Sequence, residues 1–371
     1  WTVLGGRSPE YVHFKCRPCA KQNRFVKNAR IMTFALSEVD MKKSVYIYTT
    51  GELHRKDNTL EFVSCERKRP IPLPIEEISD IYLMNEMNIS TKMLELISKY
   101  GILIHFFDYY SNYIGTYYPK EKLLAGNILV QQVKTYLDEK HRLKIARGFV
   151  QGAADNMFRN LRYYNNRGLA LESAMEEVQA LRNQTDIAAN ISELMGYEGK
   201  IHTVYYSAFE TITGNKTEFK KRVRHPPDNM MNTMISFVNG MIYARCLSEI
   251  YRTQLDPTVS FLHEPGTRRF SLSLDISEIF KPLIGDRLIF SLINKNQITE
   301  QDFTRELNCL HLKRNASQRI AKALDDRLRT TIRHRELKKD VSYQYLMRLE
   351  CYKLIKDLTG EKPYKPFVMW W

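Results

Sequence analysis

The spacing of apolar residues changes near Pro119, and this change constrains the fold more than any other feature of the chain. In residues 44–118, apolar and polar residues alternate in short runs that Gly, Pro or Asn interrupts, which is typical of strands. One helix is predicted within this stretch, capped by Ser90 or Thr91 and ended by Gly101. After Pro119, apolar residues recur every three or four positions, which predicts helices. The sequence therefore predicts an α+β fold, with a small N-terminal β-sheet domain followed by a larger all-α C-terminal domain.

The predicted domain boundaries follow from this change of period. The N-terminal β-domain spans 41–118 and the C-terminal α-helical domain spans 119–371. Residues 1–40 show neither period, so we interpret them as an extension of unknown origin, a remnant of a fused or neighbouring protein. The helices predicted in the second domain lie near 122–147, 149–164, 169–181, 184–210, 229–254, 274–293, 299–306 and 314–358.

The chain carries a formal net charge of +14, from 56 Lys and Arg residues against 42 Asp and Glu residues. Such a surface attracts polyanions by neutralising phosphates and releasing counterions, so nucleic acid is the expected partner. The run from Lys313 to Lys339 is the most basic, with ten Lys or Arg and three acids. A helix here could track phosphates along a duplex, and the alternative is a solvated helix face.

Membrane association and disulfide bonding are not expected. No apolar run is long enough to span a bilayer and no signal segment is recognisable, so a cytoplasmic location is predicted. The six cysteines give no disulfide framework in a chain of this length. Cys16 and Cys19 have metal-ligand spacing, but without a second pair they do not predict a closed zinc site.

Glu198 is the first candidate for chemistry, because a glycine lies close to it on each side within a predicted helix. A glycine inside a helix costs about 1 kcal/mol relative to alanine, so Gly196 and Gly199 indicate close backbone packing or a ligand. His202 lies four residues later on the same helical face and could join such a site. The alternatives are an exposed glutamate and an ordinary surface or core histidine.

A second group of candidates lies between His263 and Glu278. Asp275 and Glu278 are three residues apart, so both face the same way if a helix begins here. Each residue also has a structural interpretation: Asp275 as an N-cap, Glu278 as its capping-box partner, and His263 as a core histidine. Together, one imidazole and two carboxylates suit Mg²⁺ or Mn²⁺, which prefer oxygen donors and tolerate a nitrogen. Such an ion polarises a phosphodiester and stabilises the leaving oxygen.

A polar stripe follows one predicted helix between these two groups. Its residues are three or four positions apart and so share one helical face: Asn232, Ser236, Asn239 and Tyr243. The stripe could line an active site or the path of a substrate backbone. Buried hydrogen bonds between helices would explain it equally well.

Several motifs, taken in their order and spacing, resemble one known family. They are Tyr197-Glu198-Gly199, Tyr205-Tyr206-Ser207-Ala208-Phe209, Arg224-His225-Pro226-Pro227-Asp228, Leu255-Asp256-Pro257, Phe261-Leu262-His263-Glu264, Ser271-Leu272-Ser273-Leu274-Asp275 and Pro282-Leu283-Ile284-Gly285-Asp286-Arg287. From Met41 to the C-terminus the chain resembles the CRISPR-associated integrase of the adaptation stage, the first-numbered Cas protein. Cys16 and Cys19 faintly resemble the cysteine-bearing end of an iron–sulfur nuclease that is often encoded beside or fused to this integrase.

The resemblance implies a metal site in the C-terminal domain, with Glu198, His263 and Glu278 as the ligands of Mg²⁺ or Mn²⁺. Many family members carry Asp at the third position, so Asp275 remains an alternative to Glu278. Supporting roles are expected for Asp275, as a neighbour of the site, and for Tyr205, Asn232 and Ser236. The expected DNA contacts are all basic: Arg224, Arg287, Lys313, Arg314, Arg319 and Lys322.

The resemblance also implies a reaction and a set of partners. Two homodimers, each formed through the β-domain, would be bridged by a small ferredoxin-like partner and would hold a short double-stranded DNA. Each 3′-hydroxyl of that DNA would attack a phosphodiester at a repeat end of the CRISPR array. An iron–sulfur nuclease is a further expected partner. The rival functions are a stand-alone metal-dependent nuclease on branched DNA or RNA, and a non-catalytic DNA-binding scaffold.

Overall fold

The computed structural model describes residues 31–34, 42–66, 69–223, 226–266, 269–306 and 309–370, and it describes only the backbone of 31–34. Apart from that short strand, the predicted extension 1–40 lies outside the described residues, together with Cys16 and Cys19. Arg224, one of the predicted DNA contacts, also lies outside them. Within the described ranges, no helix is both long enough and apolar enough to cross a membrane.

Two sheets make up the N-terminal region. Its strands are β1 (Ile31–Phe34), β2 (Lys43–Ile47), β3 (Gly51–Lys56), β4 (Thr59–Ser64), β5 (Ile71–Leu73), β6 (Ile78–Leu83), β7 (Met87–Ile89), β8 (Leu103–Phe107) and β9 (Tyr113–Tyr117). They form a five-stranded sheet in the order β1-β2-β6-β8-β9 and a four-stranded sheet in the order β5-β4-β3-β7. The sequence predicted no strand at β1, because its antiparallel pairing with β2 is made by backbone groups that leave no period in the sequence.

The five-stranded sheet is covered on both faces because successive side chains of a strand point to opposite sides. Val45 and Ile47 pack on one face with residues of the four-stranded sheet and of helix α1 (Thr91–Tyr100). Tyr46 and Tyr48 face the other way, into the core of the C-terminal region. The caps of α1 are as predicted: Ser90 accepts a hydrogen bond from the Met93 amide, and Gly101 ends the helix at φ 67°.

The C-terminal region is helical, which confirms the predicted order of a sheet region followed by a helical region. Its helices are α2 (Gly126–Leu137), α3 (Glu139–Asn165), α4 (Glu172–Gln184), α5 (Ile191–Ser207), α6 (Phe209–Thr213), α7 (Met230–Tyr251), α8 (Ser271–Phe280), α9 (Arg287–Asn294), α10 (Arg314–Arg329) and α11 (Tyr343–Leu358). A π-helical turn, Lys281–Asp286, joins α8 to α9.

Two predicted helices are wrong. The stretch 299–306 ends in strand β10 (Phe303–Glu306), which pairs with β11 (Cys309–Leu312). The stretch 314–358 is interrupted by a hairpin of β12 (Thr331–Arg333) and β13 (Asp340–Ser342). Strands of three or four residues are too short to show a period of two in the sequence. They form because a neighbouring segment pairs with them. The region is therefore helical with two hairpins rather than all-α.

The break between the first two C-terminal helices was also misplaced, near residue 148 instead of residue 138. Asp138 caps α3 by accepting hydrogen bonds from the amides of Lys140 and His141. Gly148 does not break α3, because its missing side chain admits another segment: a Cβ there would lie 2.9 Å from the ring of Tyr364. A glycine that provides room for tertiary packing is indistinguishable in sequence from one that ends a helix.

A buried cluster of charges joins α7 to the five-stranded sheet, and we call Asp80, Arg245, Glu249, Arg252 and Asp325 the junction. All five are buried except Arg252, whose side chain is 20% exposed. Arg252 donates to both oxygens of Asp80 at 3.1 and 3.0 Å. Arg245 donates to Asp325 at 2.8 Å. Because these contacts link β6, α7 and α10, the junction fixes the sheet region against the helices that carry the site.

Candidate metal centre

Helix α5 carries Glu198 and His202 on one face, one turn apart. The helix begins where Asn190 accepts a hydrogen bond from the amide of Glu193. A Cβ added at Gly196 or at Gly199 would contact no described atom within 4 Å. The two glycines therefore do not serve close packing in the part of the chain that the structure describes, and they leave space on this stretch of α5.

Three side chains from two helices converge at one point. Nε2 of His202 lies 3.0 Å from Oε1 of Glu198, its neighbour on α5. The same nitrogen lies 3.6 Å from Oε2 of Glu278, which comes from α8. One donor atom from each of the three residues falls within 4.8 Å of the others, a spacing that can hold a metal ion. We call Glu198, His202 and Glu278 the metal centre.

The charges around the metal centre keep Glu278 ionised although it is buried. Burial raises the pKa of the Glu278 carboxyl, but Lys281, at 2.5 Å from Oε1, and His202 outweigh burial and hold this pKa well below its usual range. Burial likewise lowers the pKa of His202, and the hydrogen bond and charge of Glu198 then raise it to about 9. Oε2 of Glu278 is buried and has no hydrogen-bond partner among the described residues.

His263 lies beside the metal centre and is held by Asp275. Nδ1 of His263 is 2.8 Å from Oδ1 of Asp275. The two Asp275 oxygens also accept hydrogen bonds from the amides of Phe261, Leu262 and His263, at 2.7, 2.9 and 3.0 Å. His263 is not part of the 4.8 Å group found among the described residues. It is nevertheless close enough to Glu278 for that carboxylate to raise its pKa, after burial lowers it and Asp275 raises it.

Asp275 is thus a partner of His263 in this structure and not the N-cap of α8, which is Phe270. It has no exposed surface, and its oxygens are used by three backbone amides and one imidazole. A carboxylate bonded to one imidazole nitrogen fixes the ring and leaves the other nitrogen for a ligand. His263 therefore has Nε2 left for a metal ion.

Tyr205 belongs to a buried network behind the metal centre. Its hydroxyl accepts a hydrogen bond from Nδ2 of Asn160 at 2.8 Å, and Asn160 also donates to the carbonyl of Pro282 in the π-helical turn. Asp286 ends that turn and lies close to Tyr205. Burial raises the pKa of Asp286 to about 7, although His202, Tyr205 and Lys281 act against it.

Asn232 and Ser236, the predicted supporting residues on α7, hold an arginine. Ser236 accepts a hydrogen bond from Arg222 at 2.8 Å, and Oδ1 of Asn232 accepts one from Arg222 at 3.1 Å. Nδ2 of Asn232 donates to Asp228 at 2.7 Å and so closes the loop before α7. These contacts engage Asn232 and Ser236 in hydrogen bonding within the protein.

The predicted DNA contacts are distributed over two surfaces. Lys313, Arg314, Arg319 and Lys322 are exposed at the start of α10 and along it. Two of them already have protein partners, since Arg319 pairs with Asp302 and Arg314 donates to Thr49 at 2.8 Å. Arg287 lies elsewhere, at the start of α9, with its guanidinium 5.2 Å from the ring centroid of Tyr163.

The chain matches a known family. The family model described as CRISPR associated protein Cas1 matches residues 45–326 of the chain. Over 338 residues the chain is 53% identical to a protein of Fusobacterium nucleatum named CRISPR-associated endonuclease Cas1, covering 91% of this chain and 100% of that protein. The chain belongs to the Cas1 family. The resemblance seen in the sequence is therefore confirmed.

Solved structures share the fold of this Cas1 family member. A CAS1 protein from Thermotoga maritima is 35% identical with a TM-score of 0.79, covering 87% of this chain and 99% of that one. A casposase bound to an integration product has the same fold at 20% identity, with a TM-score of 0.75 and coverage of 88% and 93%. The sheet region and the helical region are thus those of the Cas1 fold.

Two residues at the metal centre, His202 and Lys281, have only a weak signal in the sequence. His202 was considered only as a residue that could join a site, and Lys281 was not considered. Both have a local signal, since His202 is four residues after Glu198 and Lys281 is three residues after Glu278. Such pairs also occur on many solvent-exposed helices, and only the buried position of Glu278 distinguishes this one.

Proposed function

We propose that this Cas1 family member is a metal-dependent DNA endonuclease and integrase, which inserts short DNA fragments into a CRISPR array. The observation that carries the proposal is the convergence of Glu198 and Glu278, with one buried Glu278 oxygen that has no hydrogen-bond partner among the described residues. A buried carboxylate oxygen without a partner is costly, and a cation would satisfy it. The name of the Fusobacterium relative, an endonuclease, supports the same activity.

Glu198, His263 and Glu278 would hold Mg²⁺ or Mn²⁺, since two carboxylates and one imidazole suit either ion. When bound, such an ion would neutralise the target phosphate and the leaving oxygen. Asp275 fixes the tautomer and direction of His263 through the bond to Nδ1. Lys281 pairs with one Glu278 oxygen and so leaves the other oxygen directed toward the centre.

The attacking group distinguishes an integrase from a nuclease at the same site. In hydrolysis, water attacks phosphorus and a 3′- or 5′-oxygen leaves. In strand transfer, a DNA 3′-hydroxyl attacks, a new phosphodiester forms, and the target 3′-oxygen leaves with a proton, so that the number of phosphodiesters is conserved. The shared fold of a casposase bound to an integration product favours strand transfer for this chain.

The partners proposed here follow the same reasoning. Double-stranded DNA suits the net charge of +14 and the exposed basic residues of α10. Family membership supports a homodimer through the β-domain 41–118, a small ferredoxin-like partner protein and an associated iron–sulfur nuclease. The catalytic domain, 119–371, would present the metal centre to the DNA ends.

A direct test uses purified protein with a short duplex, a repeat-bearing plasmid, Mn²⁺ or Mg²⁺, and the small partner protein. The wild type should give joined products, and Glu198→Gln should lower their rate by about 100-fold or more while duplex affinity changes less than about threefold. Glu177→Gln, an exposed glutamate on α4, is the matched control and should behave as wild type.

The rival functions predict different products. A stand-alone nuclease would cut DNA or RNA without joined products, and Glu198→Gln would abolish the cutting. A non-catalytic scaffold would give neither product, and its DNA binding would be the same in the wild type and in Glu198→Gln. Joined products that persist unchanged in Glu198→Gln would contradict the proposed site.

A further inference from the structure

We propose that His202 is an additional metal ligand, which makes the centre prefer a divalent transition metal, Mn²⁺ in this reaction, over Mg²⁺. This inference rests on the proposed function, and it concerns a residue outside the ligand set Glu198, His263 and Glu278. Its basis is the position of His202 between the two carboxylates, together with the chemistry of imidazole as a ligand.

The His202 nitrogen lies close to one oxygen of each carboxylate. With metal–ligand bonds of about 2.1 Å, neighbouring donors around such an ion lie about 3 Å apart. Nε2 of His202 is 3.0 Å from Oε1 of Glu198 and 3.6 Å from Oε2 of Glu278. His202 therefore occupies a position next to both carboxylates, and an ion bound by the two acids would lie within reach of the imidazole.

The helix presents Glu198 and His202 as a chelating pair. Residues four apart on an α-helix lie on the same face, with their Cβ atoms about 5–6 Å apart. Their α5 is anchored on each side of the pair, since Leu194, Ile201 and Tyr205 are buried. The pair is thus prearranged on a rigid element, and Glu278 approaches it from α8.

The surroundings of the His202 ring leave Nε2 for the metal. The side chain is 16% exposed, and its ring stacks at a tilt against Tyr206, with centroids 5.4 Å apart. Nδ1 is buried and has no hydrogen-bond partner among the described residues, so no described group draws the ring away from the two carboxylates. Lys281 is paired with Oε1 of Glu278, whereas His202 Nε2 lies near the other oxygen, Oε2.

A second imidazole changes which ion the centre favours. Mg²⁺ strongly prefers oxygen donors and keeps its bound water, whereas imidazole suits first-row transition metals. A set of two carboxylates with His263 alone accepts either Mg²⁺ or Mn²⁺. Adding His202 to that set gives two nitrogen donors, and this selectively favours Mn²⁺.

The test is to count the nitrogen atoms bound to Mn²⁺ by pulsed electron paramagnetic resonance and to titrate both ions in the full-length protein. His202→Gln should have one coordinated nitrogen fewer than the wild type. Its Kd for Mn²⁺ should rise at least about 10-fold, while its Kd for Mg²⁺ changes less than about threefold. The matched control is His54→Gln, an imidazole that lies between Glu52 and Glu61 on the β-domain and should change neither value.

Two further measurements keep the inference falsifiable if His202→Gln folds poorly. His263→Gln should retain one coordinated nitrogen, and wild-type protein should bind Mn²⁺ more tightly than Mg²⁺. An unchanged nitrogen count and an unchanged ratio of affinities in His202→Gln would overturn the inference and would make His202 only an ion-pair partner of the acids. The proposed function would survive that result, because its own test is the loss of joined products in Glu198→Gln.

Discussion

The junction and the metal centre are both buried clusters of charge, yet they treat their carboxylates in opposite ways. At the junction, Asp80 receives two hydrogen bonds from Arg252 and lies 3.7 Å from Arg245. Asp325 accepts from Arg245 and from Tyr46 on one oxygen and from Arg329 on the other. Every carboxylate oxygen of these two residues therefore has a protein donor.

At the metal centre, by contrast, one buried carboxylate oxygen has no hydrogen-bond donor among the described residues. Glu278 accepts a hydrogen bond on Oε1 only, since its Oε2 lies 3.6 Å from His202, and Glu198 contacts an imidazole instead of a guanidinium. Nearby, burial raises the pKa of Asp286 to about 7. A buried cluster whose carboxylates are all paired with protein donors stabilises the fold. A buried cluster with an unpaired carboxylate oxygen can bind a cation.

The largest expected difference is in stability. Asp80→Asn should lower the free energy of unfolding by about 3 kcal/mol, because it leaves the buried Arg245 and the partly buried Arg252 without their shared carboxylate. The measurement is urea denaturation followed by circular dichroism. Asp340→Asn is the control, since Asp340 is 63% exposed in its pair with Arg333, and it should change stability by less than about 0.5 kcal/mol. Equal losses of stability in Asp80→Asn and Asp340→Asn would show that the junction contributes no more to stability than an exposed ion pair.

The next largest effect should come from adding metal. Mn²⁺ at about 100 times its Kd should stabilise the wild type by about 2.7 kcal/mol, because it binds the folded state at the metal centre. In Glu278→Gln this increase should disappear, whereas in Asp80→Asn it should persist. Thermal unfolding with and without chelator measures it. Stabilisation by metal that is the same in Glu278→Gln and in wild type would place the ion elsewhere.

The smallest effect concerns pH at the junction. His105 is buried, with hydrogen bonds to Thr116 and Ser248, and burial lowers its pKa to about 3 against about 6.5 in an unfolded chain. Its contribution to stability is complete above pH 6.5 and is lost as the pH falls from 6.5 toward 3, at about 1.4 kcal/mol for each pH unit.

His105→Gln should therefore lose less stability than the wild type, by about 1 kcal/mol, when the pH is lowered from 6.5 to 5.5. Denaturation midpoints across that range provide the measurement, and His311→Gln, on hairpin β10–β11 away from the junction, is the control. Parallel pH profiles of His105→Gln and the wild type would show that neutral His105 contributes nothing to acid sensitivity.

Local signals in the sequence correctly predicted the elements whose ends are set by neighbouring residues. Ser90 and Gly101 define α1 because a cap and a left-handed residue act within one turn. The hairpin β12–β13 was missed because its three-residue strands are selected by their partner and not by their own pattern. The π-helical turn was missed for a related reason: a Cβ at Gly285 would lie 2.9 Å from Ile242, so packing against α7 shapes that turn.

The sequence by itself determined the two-part fold and which residue types could bind a metal, because hydrophobic periods and helical spacing are local properties. It placed Glu198 and His202 on one face, and Asp275 and Glu278 near each other. Only the tertiary structure decided that α5 and α8 bring Glu198 and Glu278 together across 80 residues of chain, and that Asp275 holds His263. The reason is physical: burial leaves some carboxylates satisfied by protein donors and others open, and burial depends on packing between distant segments.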